Sequence, residues 1–179
     1  RIGERTLHIS ASIGIASGTL QTSSSTELFR QADIAMYHSK ITGKGRITYY
    51  DAELNSVREY QLSIENDIRH GLEHDEFEVW YQPIVCARTQ KMVGVEALVR
   101  WPRREKGELM PDAFIAIAET SGLIYSLGQF VLARACRELL AQDDLKLSVN
   151  ISPAQFRDPE FEDKVASVLK SSGFPPARL

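Results

Sequence analysis

The chain has 179 residues, 43% of them hydrophobic and 25% charged, the proportions of a folded protein with a sizeable core and not of a disordered one. Its 21 basic and 24 acidic side chains leave a formal net charge of −3, so no global field draws it to a nucleic acid polymer or an anionic membrane, and any phosphate binding has to be local. Cys86 and Cys136 have neither a metal-binding spacing nor the density of a disulfide scaffold, which fits a reducing cytoplasm. No apolar run approaches the roughly 18 residues of a membrane span, and the opening Arg1-Ile2-Gly3-Glu4-Arg5 is not a signal peptide and lacks an initiator Met, as a trimmed start would.

From Leu7 to Ile15 apolar and small polar residues alternate, the period of a half-buried strand. Ser24 with Glu27 three residues on predicts a capping box, and Leu28, Ala32, Ala35 and Met36 repeat at helical spacing as far as Lys40, where Gly43-Lys44-Gly45 stops the helix. Arg46 to Tyr50, β-branched and aromatic, predicts a strand. Between Asp51 and Leu72 the spacing of Leu54, Val57, Gln61, Ile64, Ile68 and Leu72 predicts an amphipathic connecting helix, with a domain break near Tyr60 and Gly71 weakening the last turn.

Phe77–Val85 and Lys91–Val99 come next, as strands joined by too few residues for anything but an antiparallel hairpin. The remainder predicts helices over Asp112–Thr120 and Ser126–Ala141, a strand over Lys146–Ile151 and a helix over Pro159–Ser171, the alternation of an α/β sheet or βα-barrel. A barrel of that kind runs to roughly 250 residues, about twice the length of chain beyond the connecting helix, so half a barrel is expected here.

Tyr81-Gln82-Pro83-Ile84-Val85 and Gly94-Val95-Glu96-Ala97-Leu98-Val99-Arg100-Trp101, succeeded in order by Pro111-Asp112-Ala113-Phe114-Ile115, Ala118-Glu119, Ser121-Gly122-Leu123-Ile124 and Val149-Asn150-Ile151-Ser152-Pro153-Ala154-Gln155-Phe156, resemble the first half of the EAL family of cyclic di-GMP phosphodiesterases. The resemblance implies an α/β fold with an incomplete TIM-like (β/α) barrel over residues 73–179. It implies Glu96 and Asn150 as ligands of Mg²⁺ or Mn²⁺, and both are hard oxygen donors suited to those ions. It also implies Gln82, Leu98 and Arg100 as contacts to cyclic di-GMP. Glu96 is expected at the C-terminal end of its strand and Asn150 at the end of the next, the rim that carries chemistry in βα-barrels. Arg100 has the planar fork for a phosphate oxygen pair; the plainer alternative is that it pairs with a carboxylate such as Glu119, itself read as structural.

His8-Ile9-Ser10-Ala11-Ser12-Ile13-Gly14-Ile15-Ala16 and Ala32-Asp33-Ile34-Ala35-Met36-Tyr37-His38-Ser39-Lys40 resemble the end of a GGDEF diguanylate cyclase domain. This implies the last strand–helix–strand of such a domain over residues 1–51 and a connecting helix over 52–72. Lys40 and Lys44 would then face nucleotide phosphates, with GTP as the partner of the parent's cyclase part; favourable charge at a helix C-terminus is the alternative for both. The expected activity is hydrolysis of cyclic di-GMP to linear pGpG by a divalent-metal-activated water in a homodimeric parent protein. The other readings are a cyclic di-GMP-binding module without catalysis and a cyclase with a regulatory EAL part. No general base is visible, and the chain alone is expected to be inactive because the family's later acidic ligands and its Lys are not among these residues.

Overall fold

Residues 10–18, 24–103 and 107–179 are described by the computed structural model. The chain divides into two units, Arg1–Ser63 and Ile64–Leu179, and the division falls within one helix, a few residues beyond the expected break at Tyr60. Leu7 to Ile9 of the first predicted strand lie outside the described residues, as do Arg104, Glu105 and Lys106.

In the first unit β1 (Ile13–Ile15) and β2 (Ile47–Tyr49) run parallel in the register Ile13↔Ile47, linked by α1 (Ser25–Ile41). The helix packs so close to the sheet that a Cβ on Gly14 would stand 2.0 Å from the Ala32 carbonyl oxygen, so only glycine fits there. Ser24 caps α1 by accepting from the Glu27 N–H at 3.2 Å. The reciprocal half of the predicted capping box is not made: the Glu27 carboxylate accepts instead from Arg30 Nη2 at 2.7 Å and Nε at 2.8 Å. A guanidinium one turn away offers a two-pronged partner that a single backbone N–H does not match.

The connecting helix, α2 (Ala52–Glu73), continues past Gly71. That glycine is buried, and a Cβ on it would meet Phe77 at 3.0 Å and the Trp101 indole nitrogen at 3.2 Å. It makes room for aromatic packing and does not fray the last turn.

In the second unit β3 (Glu78–Val85) and β4 (Met92–Arg100) form the expected antiparallel hairpin, with a bulge at Ile84/Val85, and β5 (Lys146–Val149) adds parallel to β4. The result is a three-stranded mixed sheet in an α/β unit, ordered β3-β4-β5. Pro111 starts α3 (Pro111–Ser121) and Gly122, at φ +77°, ends it. Then come α4 (Ile124–Glu138) and α5 (Phe161–Ser172), the latter closed by Gly173 at φ +71°.

Val79, Val95, Ala97 and Leu147 of the sheet are buried against Val131, Leu132, Ala135 and Cys136 of α4 and Val168 of α5. A second cluster joins Ile64 and Ile68 of α2 to Phe77, Trp101, Phe114 and Leu127, with the Phe77 and Trp101 rings stacked at 4.7 Å.

Candidate functional site

With Val79, Val95, Ala97 and Leu147 turned to the core, the strand period of two sends their neighbours to the other face. Cα partners across a ladder share a face, and Gln82 partners Glu96, Trp80 partners Leu98, Glu78 partners Arg100 and Ser148 partners Glu96. Asn150 stands two residues beyond Ser148. Gln82, Glu96, Leu98 and Arg100 of two strands therefore share one side of the sheet, and Asn150, in the loop that leaves β5, comes to the same side.

Glu96 is not at the end of its strand, as expected from sequence, but four residues inside it, because β3 goes on pairing with β4 as far as Glu78↔Arg100. Against β5 the pairing stops at Ala97↔Val149, so Glu96 and Asn150 both stand at the C-terminal limit of the parallel part of the sheet. There they touch: the Asn150 amide nitrogen donates to the Glu96 carboxylate at 2.6 Å. Two hard oxygen donors, a carboxylate and an amide carbonyl, are thus side by side on a partly open face, which fits a divalent cation of the Mg²⁺ class. Among the described residues no group of three or more His, Cys, Asp or Glu stands together as a metal cluster.

Arg100 does not pair with Glu119. It donates from Nη1 to the Val99 carbonyl at 2.8 Å, and its guanidinium carbon lies 5.5 Å from the centre of the Trp80 ring. Glu119 accepts the Ser152 hydroxyl at 2.5 Å, a contact that ties α3 to the loop after β5.

Beside them Leu98, Arg100, Glu119, Asn150, Ser152 and Gln155 line a cleft of about 320 Å³. The loop that carries Asn150 is braced in ways the sequence did not reveal. Gln155, itself buried, accepts from the Ser152 N–H at 3.1 Å, the Tyr125 hydroxyl donates to the Ala154 carbonyl at 3.2 Å, and Gly128 is bare where a Cβ would stand 2.1 Å from the Gln155 amide. A glycine in mid-helix was the one available signal. Two wider grooves, of about 740 and 700 Å³, run along α5 and the free edge of β5 and contain none of the predicted site residues.

Lys40 and Lys44 belong to the first unit. Both are exposed, Lys40 in the last turn of α1 and Lys44 in the loop behind it, at φ +58° with its N–H on the Ser39 carbonyl at 3.0 Å. No helix among the described residues is long and apolar enough to cross a membrane.

The profile of the EAL domain matches residues 65–179. The chain is 35% identical over 184 residues to the bifunctional diguanylate cyclase/cyclic di-GMP phosphodiesterase MucR of Pseudomonas aeruginosa, with 100% of this chain and 27% of that protein covered. It is 37% identical over 179 residues to the cyclic di-GMP phosphodiesterase PdeR of Escherichia coli, with 97% of this chain and 27% of that protein covered. The chain thus spans little more than a quarter of either. Among solved structures, a cyclic di-GMP complex of the PaMucR phosphodiesterase superposes with a TM-score of 0.62 at 34% identity, over 65% of this chain and 49% of that one. The EAL domain of Xanthomonas citri FimX in complex with cyclic di-GMP gives 0.59 at 29% identity, over 70% and 50%. With the profile matched over more than half of its residues, the chain belongs to the EAL domain family.

Proposed function

We propose that the protein carrying this chain hydrolyses cyclic di-GMP to linear pGpG. The observation that carries the reading is the contact between Asn150 and Glu96, made on the same sheet face as Gln82, Leu98 and Arg100. Glu96 and Asn150 would hold Mg²⁺ or Mn²⁺, which when bound supplies Lewis-acid polarisation of the phosphodiester and an activated water. Arg100 binds a phosphate oxygen pair through its fork, Gln82 offers a donor and an acceptor to guanine or phosphate, and Leu98 packs against the ligand. The names of MucR and PdeR, and the cyclic di-GMP bound in two of the structural neighbours, support this substrate.

Two visible ligands are short of the near-octahedral shell that Mg²⁺ takes. The chain by itself therefore binds the dinucleotide without turning it over, and residues 73–179 form the first half of a (β/α) barrel. The parallel β1–α1–β2 arrangement supports residues 1–51 as the end of a GGDEF domain; that reading would place Lys40 and Lys44 toward nucleotide phosphates, with GTP as that part's ligand in a homodimeric, cytoplasmic parent.

Calorimetric titration of the chain with cyclic di-GMP, with and without Mg²⁺, tests the binding. Affinity should fall at least about tenfold in Arg100→Ala. In the parent protein Glu96→Gln should lower the hydrolysis rate by roughly 100-fold or more. Full hydrolysis by Glu96→Gln would sink the catalytic reading, whereas binding by a parent with no turnover would leave a non-catalytic sensor.

A further inference from the structure

Glu78 and Arg100 are direct cross-strand partners of opposite charge on the exposed site face. Such a pair ordinarily closes into an ion pair. Here it does not. The Glu78 carboxylate accepts the Trp80 indole N–H at 3.0 Å, and Arg100 turns to the Val99 carbonyl, with no carboxylate partner among the described residues. Its guanidinium rests over the Trp80 ring, at cation–π distance. One indole thus satisfies both charged groups at once, its N–H edge engaging the carboxylate and its ring face the cation. Trp80 itself stands 56% exposed, on the face of the sheet opposite the α4 core.

We infer that Trp80 is a positioning residue that diverts Glu78 from Arg100 and so keeps the guanidinium available for a phosphodiester anion. The inference rests on the proposed role of Arg100 in holding cyclic di-GMP. Of the five N–H donors of a guanidinium, one is spent among the described residues, on the Val99 carbonyl. An aromatic face attracts a cation without supplying the formal negative charge that would neutralise it, so the cation is oriented while its field still reaches the ligand. A carboxylate in the same place would compete with the phosphate for the same fork.

Trp80→Phe keeps a ring for the cation but has no N–H, which releases Glu78 toward Arg100. Trp80→Phe/Glu78→Gln removes the competing charge as well. Cyclic di-GMP affinity of the 179-residue chain, measured by calorimetry in Mg²⁺, should fall about fivefold in Trp80→Phe and return to within about twofold of wild type in the double variant. Glu78→Gln alone should bind at least as well as wild type. Trp80 is exposed, and melting temperatures within a few degrees of wild type would show that the fold is kept.

An unchanged affinity in Trp80→Phe, or a loss that Glu78→Gln does not restore, would overturn the inference while leaving the role of Arg100 intact. A wild-type chain that does not bind cyclic di-GMP would overturn the functional reading, and this inference with it.

Discussion

Tyr81 shows how far a single side chain on the buried face is committed. Burial in the first place, and then its hydrogen bond of 2.6 Å to Glu138, push its phenol well above the ordinary value of 10.0. For an acid whose neutral form the fold prefers, the stabilisation is complete below about pH 10 and is lost as pH rises toward the folded value. On Glu138 burial pulls the other way, but the bonds from Tyr81 and Arg134 outweigh it and hold the carboxyl below its ordinary 4.5. That contribution is present above about pH 4.5 and is lost as pH falls below it. Tyr81→Phe should therefore flatten the alkaline limb of the stability profile and shrink the acid one, as urea denaturation at about pH 4, 7 and 10.5 would reveal. An alkaline limb identical to wild type would mean that Tyr81 is not the group responsible. Motif order singled out residues 82, 96, 98, 100 and 150, which the fold brings together beside one sheet face. The Glu119–Ser152 bond and the diversion of Glu78 were not legible, because each joins residues whose proximity depends on register or on loop path and leaves no periodic trace in the sequence.

At the scale of the element, helix α4 stops at Glu138 although helix-compatible residues continue to Ala141. The reason lies far along the chain. Arg178, 12% exposed, donates to the Leu139 carbonyl at 2.8 Å, the Gln142 carbonyl at 2.6 Å and the Leu145 carbonyl at 2.9 Å, collecting the oxygens of the turns that lead into β5. No local pattern could announce this, since the cap comes from the other end of the unit. Arg178→Ala would leave those carbonyls to water or to nothing, and should cost about 2–4 kcal/mol in urea unfolding. Arg178→Lys should recover only part, because a single ammonium cannot span three acceptors in one plane. Full stability in Arg178→Ala would show that water serves the turns as well. The two hairpin strands, by contrast, were legible to within a residue and their pairing came from loop length alone, whereas β1 begins only at Ile13 although alternation runs back through Ser10, and β5 stops at Val149, two residues short of the expected Ile151.

At the scale of the whole molecule, the second unit is held by two apolar clusters on either side of Val99 and Phe130, which pack against both. The cluster around Phe77, Trp101 and Phe114 is aromatic and fully enclosed, with the Trp101 and Phe114 rings edge to face at 5.4 Å. Phe114→Ala should cost about 3–5 kcal/mol, measured as the shift in denaturant midpoint of that unit's transition. A loss below about 1 kcal/mol would mean that the cavity is refilled. The alternation of strands and helices identified an α/β unit from sequence. Closure into a barrel could not be read from a sheet of three strands, because it depends on partners for the free edge of β5. A last consequence lies in where the two indoles fall. Trp101 is sealed in the core and Trp80 stands open beside Arg100. Intrinsic fluorescence therefore divides into a blue-emitting, quencher-resistant component and a red-emitting, iodide-accessible one. A single cuvette should then follow unfolding through the first, and a response of the second to added cyclic di-GMP would report binding at the proposed site.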